Sequence, residues 1–561
     1  WTDVVIPEGT LVQIDTSAQD KIKTMAGGDA AACIGMAMQC YDDQNRLIRV
    51  LAPSGTITRL VLDDLGRTLS TWVGTNDSGA TAADPTGNHA TGNNMVKVSE
   101  DQYDNGGVGD GNLTRAIVFP NGNTGERATL YYYDWRDRLV ETKSGVTYTD
   151  SAYTTTATEY TTDNTHPISF TIYDNLDEAI ETRAYDGDAV TITSTNGVPN
   201  APDASLLRAD STAQYDELGR EFASHVFSVD PSSGNVSTSS LDSFIWFDQN
   251  GNVIKTAQPG GLVEKDAYDT AGRLATSYIT DGGGDAAPGT SGNWFDAGNV
   301  SGDIVLQETD DQYDADGNLI FQIDRQRFDD ATATGALGDP SSTGSTAKAR
   351  VSYQAWYYDG AGRLSSTVNF GTNGGTLDGS GAGADLDPNN DGVAGRPASV
   401  PARSDTVLRT DYTYNAAGLN DTVTDPKGIV TKTEFDALSH TTKTIENYVD
   451  YDNDGNDSND VLTGSQNITT EYTYDGDDHT LTMTAVLPDD QHQTTAYIYG
   501  VSPNDSLPSG LASNDLLAKV EYPDASSGNA STTNRQLFSY NAIGEQTAKQ
   551  DQLGTVHCYQ L

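Results

Sequence analysis

Basic residues are scarce. The 561 residues include 32 Lys and Arg against 81 Asp and Glu, a formal charge of −49. Binding phosphate takes clustered Lys and Arg, so this balance argues against nucleic acid as a partner. An anionic membrane surface would repel the chain, and cations are its natural counterpart. Cysteine is scarce too, with only Cys33, Cys40 and Cys558. Three thiols make neither a disulfide framework nor a metal-ligand spacing. Cys33 and Cys40 suit a pair in an oxidising compartment, and two buried thiols fit equally well. No apolar run approaches the roughly 18 residues of a membrane span, the longest being Ala31 to Met38. Catalytic signatures are missing as well: no G-x-S-x-G, no phosphate loop, no H-E-x-x-H and no C-x-x-C. The seven His are scattered. Acidic pairs carry little weight among so many carboxylates, so no catalytic residue is assigned and the chain reads as a non-enzyme. It opens at Trp1 without a basic leader, which suits a processed chain or a piece of a longer one.

What is abundant is turn and strand chemistry. Gly numbers 56 and Tyr 28 against 12 Phe, and mean hydropathy is −0.51. Aromatics and aliphatics recur throughout, which argues against disorder despite the charge. An aromatic followed by Asx recurs at Tyr41, Tyr103, Tyr133, Tyr173, Tyr215, Phe247, Tyr268, Tyr313, Tyr358, Tyr414, Phe435, Tyr474 and Tyr540, with Leu62-Asp63 as a variant. The position three after the Asx is the independent check. It is Gly66, Gly219, Gly251, Gly272, Gly317, Gly362, Gly418 or Gly544 in eight copies, and Asn45, Asp137, Asp177, Asp478 or Ser439 in five. The Tyr103 copy has a longer loop ending at Leu113. Gly, Asn and Asp tolerate positive φ best. Asx followed by such a residue predicts a type I turn closed by a bulge, a common hairpin connection. A second aromatic often stands two residues earlier, as at Tyr131, Trp356, Tyr412, Tyr472 and Phe538. A spacing of two puts both rings on one face of a strand. The unit is therefore a β-hairpin with Tyr41-Asp42, Tyr215-Asp216, Tyr268-Asp269, Tyr358-Asp359, Tyr414-Asn415 or Tyr540-Asn541 at its tip.

Four pairs of motif positions lie 21 residues apart: Tyr41/Leu62, Phe247/Tyr268, Tyr414/Phe435 and Tyr540/Leu561. In each a Gly stands seven before the second member: Gly55, Gly261, Gly428 and Gly554. The basic period is thus about 21 residues. By this register the chain stops in mid-repeat at Leu561, as a segment of something longer would. The recurring "YDELGRE" (215–221), "YDTAGRL" (268–274) and "YDGAGRL" (358–364) resemble the YD-repeat, or RHS-repeat, family, over roughly residues 41 to 561. That family includes bacterial Rhs proteins, the C components of Tc insecticidal toxins and the teneurins. The resemblance implies an all-β array of hairpins forming one long antiparallel sheet that spirals into a hollow, solenoid-like shell. Residues 1–40 lack the motif and read as a junction or degenerate unit. Residues 41–561 read as the array, with long insertions near 75–100, 280–305, 370–405, 449–465 and 500–530. Helix is expected only in short pieces, chiefly before Tyr41. The motif tyrosines read as packing between adjacent hairpins rather than as a ligand-binding stripe.

Two insertion loops have cation-ligand spacing. In "DYDNDGNDSNDV" (450–461), Asp450, Asp452 and Asp454 precede Gly455, as in the front half of an EF-hand loop. Asn456 would add its carbonyl and Ser458 holds the ninth position, while Val461 replaces the acid expected at the twelfth. Asp387, Asn389 and Asp391 repeat the front half before Gly392. Both are read as weak structural calcium sites suited to an extracellular setting, with no other cofactor. The functional expectation is a secreted or cell-surface scaffold for surface architecture, adhesion or self-assembly. Its partners would be copies or further segments of itself, or a surface protein or glycan. Two alternatives stand beside it: a segment of a hollow shell delivering a C-terminal toxin, and, more remotely, a surface glycan hydrolase. Nothing matches the self-cleaving segment that follows the repeats in Rhs toxins.

Overall fold

The computed structural model describes residues 12–15, 21–24, 38–107, 109–122, 126–146, 166–285, 297–372, 375–376, 384–386, 394–450, 465–488 and 491–559. One antiparallel sheet of 31 strands runs from Met38–Tyr41 to Val556–Cys558. Each strand pairs with the sheet strands before and after it in the chain, and no ladder joins first to last, so the sheet is open. Two-stranded ribbons stand apart at Val12–Asp15 with Lys21–Thr24, Ser194–Thr195 with Val198–Pro199, and Gly375–Thr376 with Ala384–Asp385. Helix among the described residues is limited to single 3₁₀ turns at Asp104–Gly106 and Ala204–Leu206.

The turns sort onto two long edges. The Tyr-Asp tips occupy one, the motif edge. The Gly residues that marked the 21-residue register close the turns of the other, the return edge. There Asp425–Gly428 repeats the tip geometry, with Asp425 N–H donating to Ile429 O and Gly428 N–H to Asp425 O. Gly55, Gly261, Gly428 and Gly554 all have φ between 84° and 93°. A unit of 21 is thus one tip, one return turn and two short strands. Most longer units arise because insertions enter at the return edge, for example between Thr68–Gly74 and Val96–Tyr103, between Leu274–Thr280 and Val305–Tyr313, and between Leu364–Gly371 and Leu408–Tyr414, whereas 502–512 enters at a motif tip.

The expected insertion at 500–530 needs correction. Ser513–Pro523 is a full strand, paired on one side with Gln491–Val501 and on the other with Ala530–Tyr540. Only 502–512 and the return turn at 524–529 leave the sheet. The strand escaped notice because the tip before it begins Tyr499-Gly500 and lacks the Asx.

The sheet also winds onto itself. The return turn at Ala52–Gly55 meets hairpins more than 400 residues later. Ser54 N–H donates to Asp477, Asn514 N–H donates to Thr56 Oγ1 at 2.8 Å, and Asn514 Nδ2 donates to Ser54 O at 2.8 Å. Further along, Ala542 N–H donates to Pro120 O at 2.7 Å, and Arg127 pairs with Glu545 at 3.3 Å. Both routes around the wall, from Ile57–Leu62 to Ile468–Tyr474 and from Arg127–Tyr133 to Ala530–Tyr540, count 23 sheet strands. At about 4.8 Å per strand the circuit is at least ~110 Å around and ~35 Å across. Side chains fill a barrel of about eight strands, but not a ring of this size.

Candidate functional site

The motif edge is a ladder in which each tip grips the next. In the tip at Asp216, one carboxylate oxygen accepts the N–H groups of Leu218 and Arg220, at 2.8 and 3.0 Å. The other accepts Arg220 Nε at 2.7 Å. Asp269 with Arg273 and Asp359 with Arg363 repeat this arrangement. The Arg220 side chain, followed by its backbone N–H, holds the Asp216 carboxyl below the usual range, and Arg363 does the same for Asp359. Asn415 and Asn541 keep the two backbone contacts through a neutral oxygen. All thirteen positions three after the Asx have positive φ, from 59° to 91°. Tyr41-Asp42 forms the first such tip, with Arg46 as its partner.

The motif tyrosines reach backwards. Tyr133, Tyr173, Tyr215, Tyr268, Tyr358, Tyr414, Tyr474 and Tyr540 each donate a hydroxyl hydrogen bond, at 2.7–3.1 Å, to a carbonyl just past the tip of the preceding hairpin. The motif arginines reach forwards. Arg67, Arg220, Arg273 and Arg363 lie 4.2–4.6 Å from the ring of the next motif aromatic, a cation–π contact. Eleven of the thirteen motif rings are thus engaged by a neighbouring tip, while Tyr41 is exposed and donates its hydroxyl to Gln39 of its own strand. At two tips His takes the Arg place. His440 bridges Asp436 and Asp478, at 2.8 Å each, and stacks on Tyr474 at 4.7 Å. His479 stacks on Tyr499 at 4.4 Å, which makes Tyr499 a motif ring that the sequence search missed. Its signal was Tyr497, two residues earlier, as in the other tips.

Sequence reasoning also missed a clamp on the sheet face. Lys255 and Lys265 stand directly opposite each other on adjacent strands, where like charges repel. The insertion carboxylate of Asp285 bridges them at 2.6 Å to each, and Asp303 holds Lys265 at 2.7 Å. Arg49 and Arg59 form the same cross-strand pair, bridged by Asp77 at 2.6 and 2.7 Å. In both cases a facing cation pair fastens an insertion onto the sheet. Glu141 is different. It is buried, neither carboxylate oxygen has a hydrogen-bond partner, and burial pushes its carboxyl up to about 8.

Of the calcium residues, Asp450 is described and half-buried. Asp452, Asp454, Asn456, Ser458, Asp387, Asn389 and Asp391 lie outside the described residues. Among the described residues no group of three or more His, Cys, Asp or Glu is arranged to hold a metal. Cys40 is half-buried, Cys558 is exposed, and Cys33 lies outside the described residues. No helix among the described residues is long and apolar enough to cross a membrane.

No family model matches the chain and no curated protein does. Solved structures do. The crystal structure of TcdB2-TccC3-TEV matches at 13% identity and a TM-score of 0.38, over 98% of this chain and 24% of that one. The crystal structure of TcdB2-TccC3 matches at 12% identity and 0.24, over 91% and 29%. The Photorhabdus luminescens Tc holotoxin pore gives 12% and 0.24, over 91% and 31%. The chain therefore spans about a quarter to a third of the chains it resembles. At such identities the likeness concerns fold alone, and the all-β antiparallel sheet rests on its own strand pairing.

Proposed function

We propose that the chain is a non-catalytic structural wall, working outside the cell as part of an enclosing shell. The observation that carries this reading is the seam, where the return turn at Ala52–Gly55 lies against Asp477 and Asn514 and residue 120 lies against Ala542. An extended adhesive fibre has no need to lay its first hairpins on its last. A wall around a space does, because the seam closes the circuit that strand pairing leaves open. The seam therefore favours the enclosing role over the extended surface scaffold. A toxin or other payload is the natural content, and the weak calcium loops of the insertions belong to the same extracellular setting.

A crosslink tests the seam. Ser54 Oγ lies 2.5 Å from Asp515 Oδ1. With Cys33, Cys40 and Cys558 changed to Ser, the pair Ser54→Cys and Asp515→Cys should form an intramolecular disulfide under mild oxidation, read as a mobility shift of the monomer on a non-reducing gel. A folded monomer that stays uncrosslinked would overturn the wound wall, and with it the enclosing role.

A further inference from the structure

The two clamps that fasten insertions onto the sheet differ in chemistry. At Arg49 and Arg59 the bridging group is the Asp77 carboxylate. A guanidinium keeps its charge in proteins and offers no nucleophilic lone pair. At Lys255 and Lys265 the cations are amines, and two carboxylates meet them. A lysine amine that gives up its proton is a nucleophile. The lysine clamp is also drier: the side chains of Lys265 and Asp303 are 0% exposed, against 17% for Asp77. Val263, Thr280 and Val305, all buried, form one cross-strand row beside it.

The contacts give each group of this clamp a part. Lys265 Nζ donates to Asp285 Oδ1 at 2.6 Å, to Asp303 Oδ2 at 2.7 Å and to Asn299 O at 2.6 Å. A nitrogen held against one carboxylate oxygen stands within about 4 Å of the carboxyl carbon, close to the roughly 3–3.5 Å of a near-attack geometry. The other oxygen of Asp285 accepts from Lys255 Nζ at 2.6 Å. That puts a positive charge where a tetrahedral adduct develops its oxyanion. Lys255 is itself anchored 4.3 Å from the centroid of the Trp246 ring. Asp303 is fixed independently of Lys265, since Thr280 Oγ1 donates to its Oδ2 and Gly284 N–H to its Oδ1, both at 3.0 Å.

We propose that Lys265 and Asp285 join in an isopeptide bond, with Asp303 as proton relay and Lys255 as stabiliser of the oxyanion. Nζ gives one proton to Oδ1 along their hydrogen bond, which leaves an amine facing a neutral carboxyl. The amine lone pair attacks Cγ, and the charge that gathers on Oδ2 lies against Lys255. Asp303 takes a second proton from the nitrogen and returns it to Oδ1, which leaves as water. The third proton stays on the amide nitrogen. Ammonium and carboxylate thus become amide and water, with no outside reactant. The bond replaces two buried charges by a neutral amide, which relieves their desolvation. Lys255 and Asp303 remain as one positive and one negative group, on the amide oxygen and the amide N–H. The step happens once per chain and turns nothing over, and it welds the insertion to the wall. The enclosing role does not depend on it.

Mass spectrometry of the purified, folded chain tests this. The expected mass is one water below that of the sequence. The expected tryptic map holds a branched peptide joining Lys265 to Asp285, uncut after residue 265. Lys265→Arg keeps the charge and should show the full sequence mass. Asp303→Asn keeps the shape but relays no proton, so the bond should form on the order of 10²-fold more slowly or not at all, leaving the freshly purified chain at full mass. A folded wild-type chain of full mass overturns the proposal, and so does a branch at Asp303 instead of Asp285. A folded Lys265→Arg or Asp303→Asn chain that still loses the water overturns it too. If a variant fails to fold, the wild-type mass and map decide alone.

Discussion

Two units of the same length show how this sheet divides its labour. The unit from Phe247 to Tyr268 and the unit from Tyr414 to Phe435 share the 21-residue register, the tip, the return turn and the bulge beside the motif ring. Their cross-strand pairs at the same place differ: Lys255 opposite Lys265 in one, Thr422 opposite Lys432 in the other. The first pair draws an insertion down onto the sheet, and Lys265, Thr280 and Asp303 become fully buried. In the second unit every residue of Asn420–Thr424 and Val430–Phe435 stays half-buried. The repeat supplies the ladder and the tips, and of these two units only the one with an insertion fastened over it is fully buried in places. The cluster of Phe321, Val368 and Phe370 with Leu386 and Val407 shows the same thing with apolar groups, since the last two come from an insertion.

The largest test of this contrast removes the clamp. Asp303→Ala leaves Lys265 buried with one carboxylate instead of two, which should cost about 3–5 kcal/mol in urea unfolding. Thr422→Ala at the corresponding place of the bare unit should cost less than about 1 kcal/mol. Equal losses would break the comparison.

Glu141 sharpens it, being buried without any clamp. Its folded-state pKa of about 8 lies above the ordinary glutamate value of 4.5. The folded state therefore holds a proton that the unfolded chain has released. Stability from this group is full below about pH 4.5 and is lost as pH rises towards 8. Glu141→Gln should stabilise the protein by on the order of 2–4 kcal/mol at pH 8 and by nearly nothing at pH 4. A pH-independent gain would mean that the carboxyl is solvated.

Backbone strain should come next. Gly272 has φ 78° with open space around it, so a side chain there meets strain and not a clash. Gly272→Val should cost roughly 1–3 kcal/mol, whereas Gly298→Val, also in open space but without positive φ, should cost less. Matching melting midpoints for the two would remove the turn assignment.

The smallest effect belongs to the bare unit's own tip. The side chains of Asp436 and Asp478 raise the His440 pKa above its ordinary value. Its contribution is therefore present below about pH 6.5 and is lost as pH climbs through the raised value. The amide protection factor at the Phe435 tip, which divides out base-catalysed intrinsic exchange, should fall above neutrality, and His440→Arg should abolish that fall. A protection factor unchanged across that range would show that the imidazole does not replace Arg in the ladder.

The sequence by itself determined the hairpin, its turn chemistry and its period. These are local: an Asx that accepts two N–H groups within its own turn, a residue of positive φ three positions on, and rings spaced by two all act within about ten residues of chain. The all-β sheet followed from them, while the spiral came from the family resemblance. Tertiary structure alone decided what depends on residues far apart. The seam joins positions more than 400 residues apart, the Lys255–Lys265 clamp takes its carboxylates from an insertion, and the Tyr499 strand pair carries no Asx to announce it. Burial of Glu141 is of the same kind, because whether a carboxyl meets water depends on what the rest of the chain lays over it. A repeat encodes its contacts with its neighbours at a fixed spacing. Contacts across a turn of the spiral have no fixed spacing, and geometry settles them only once the sheet has wound.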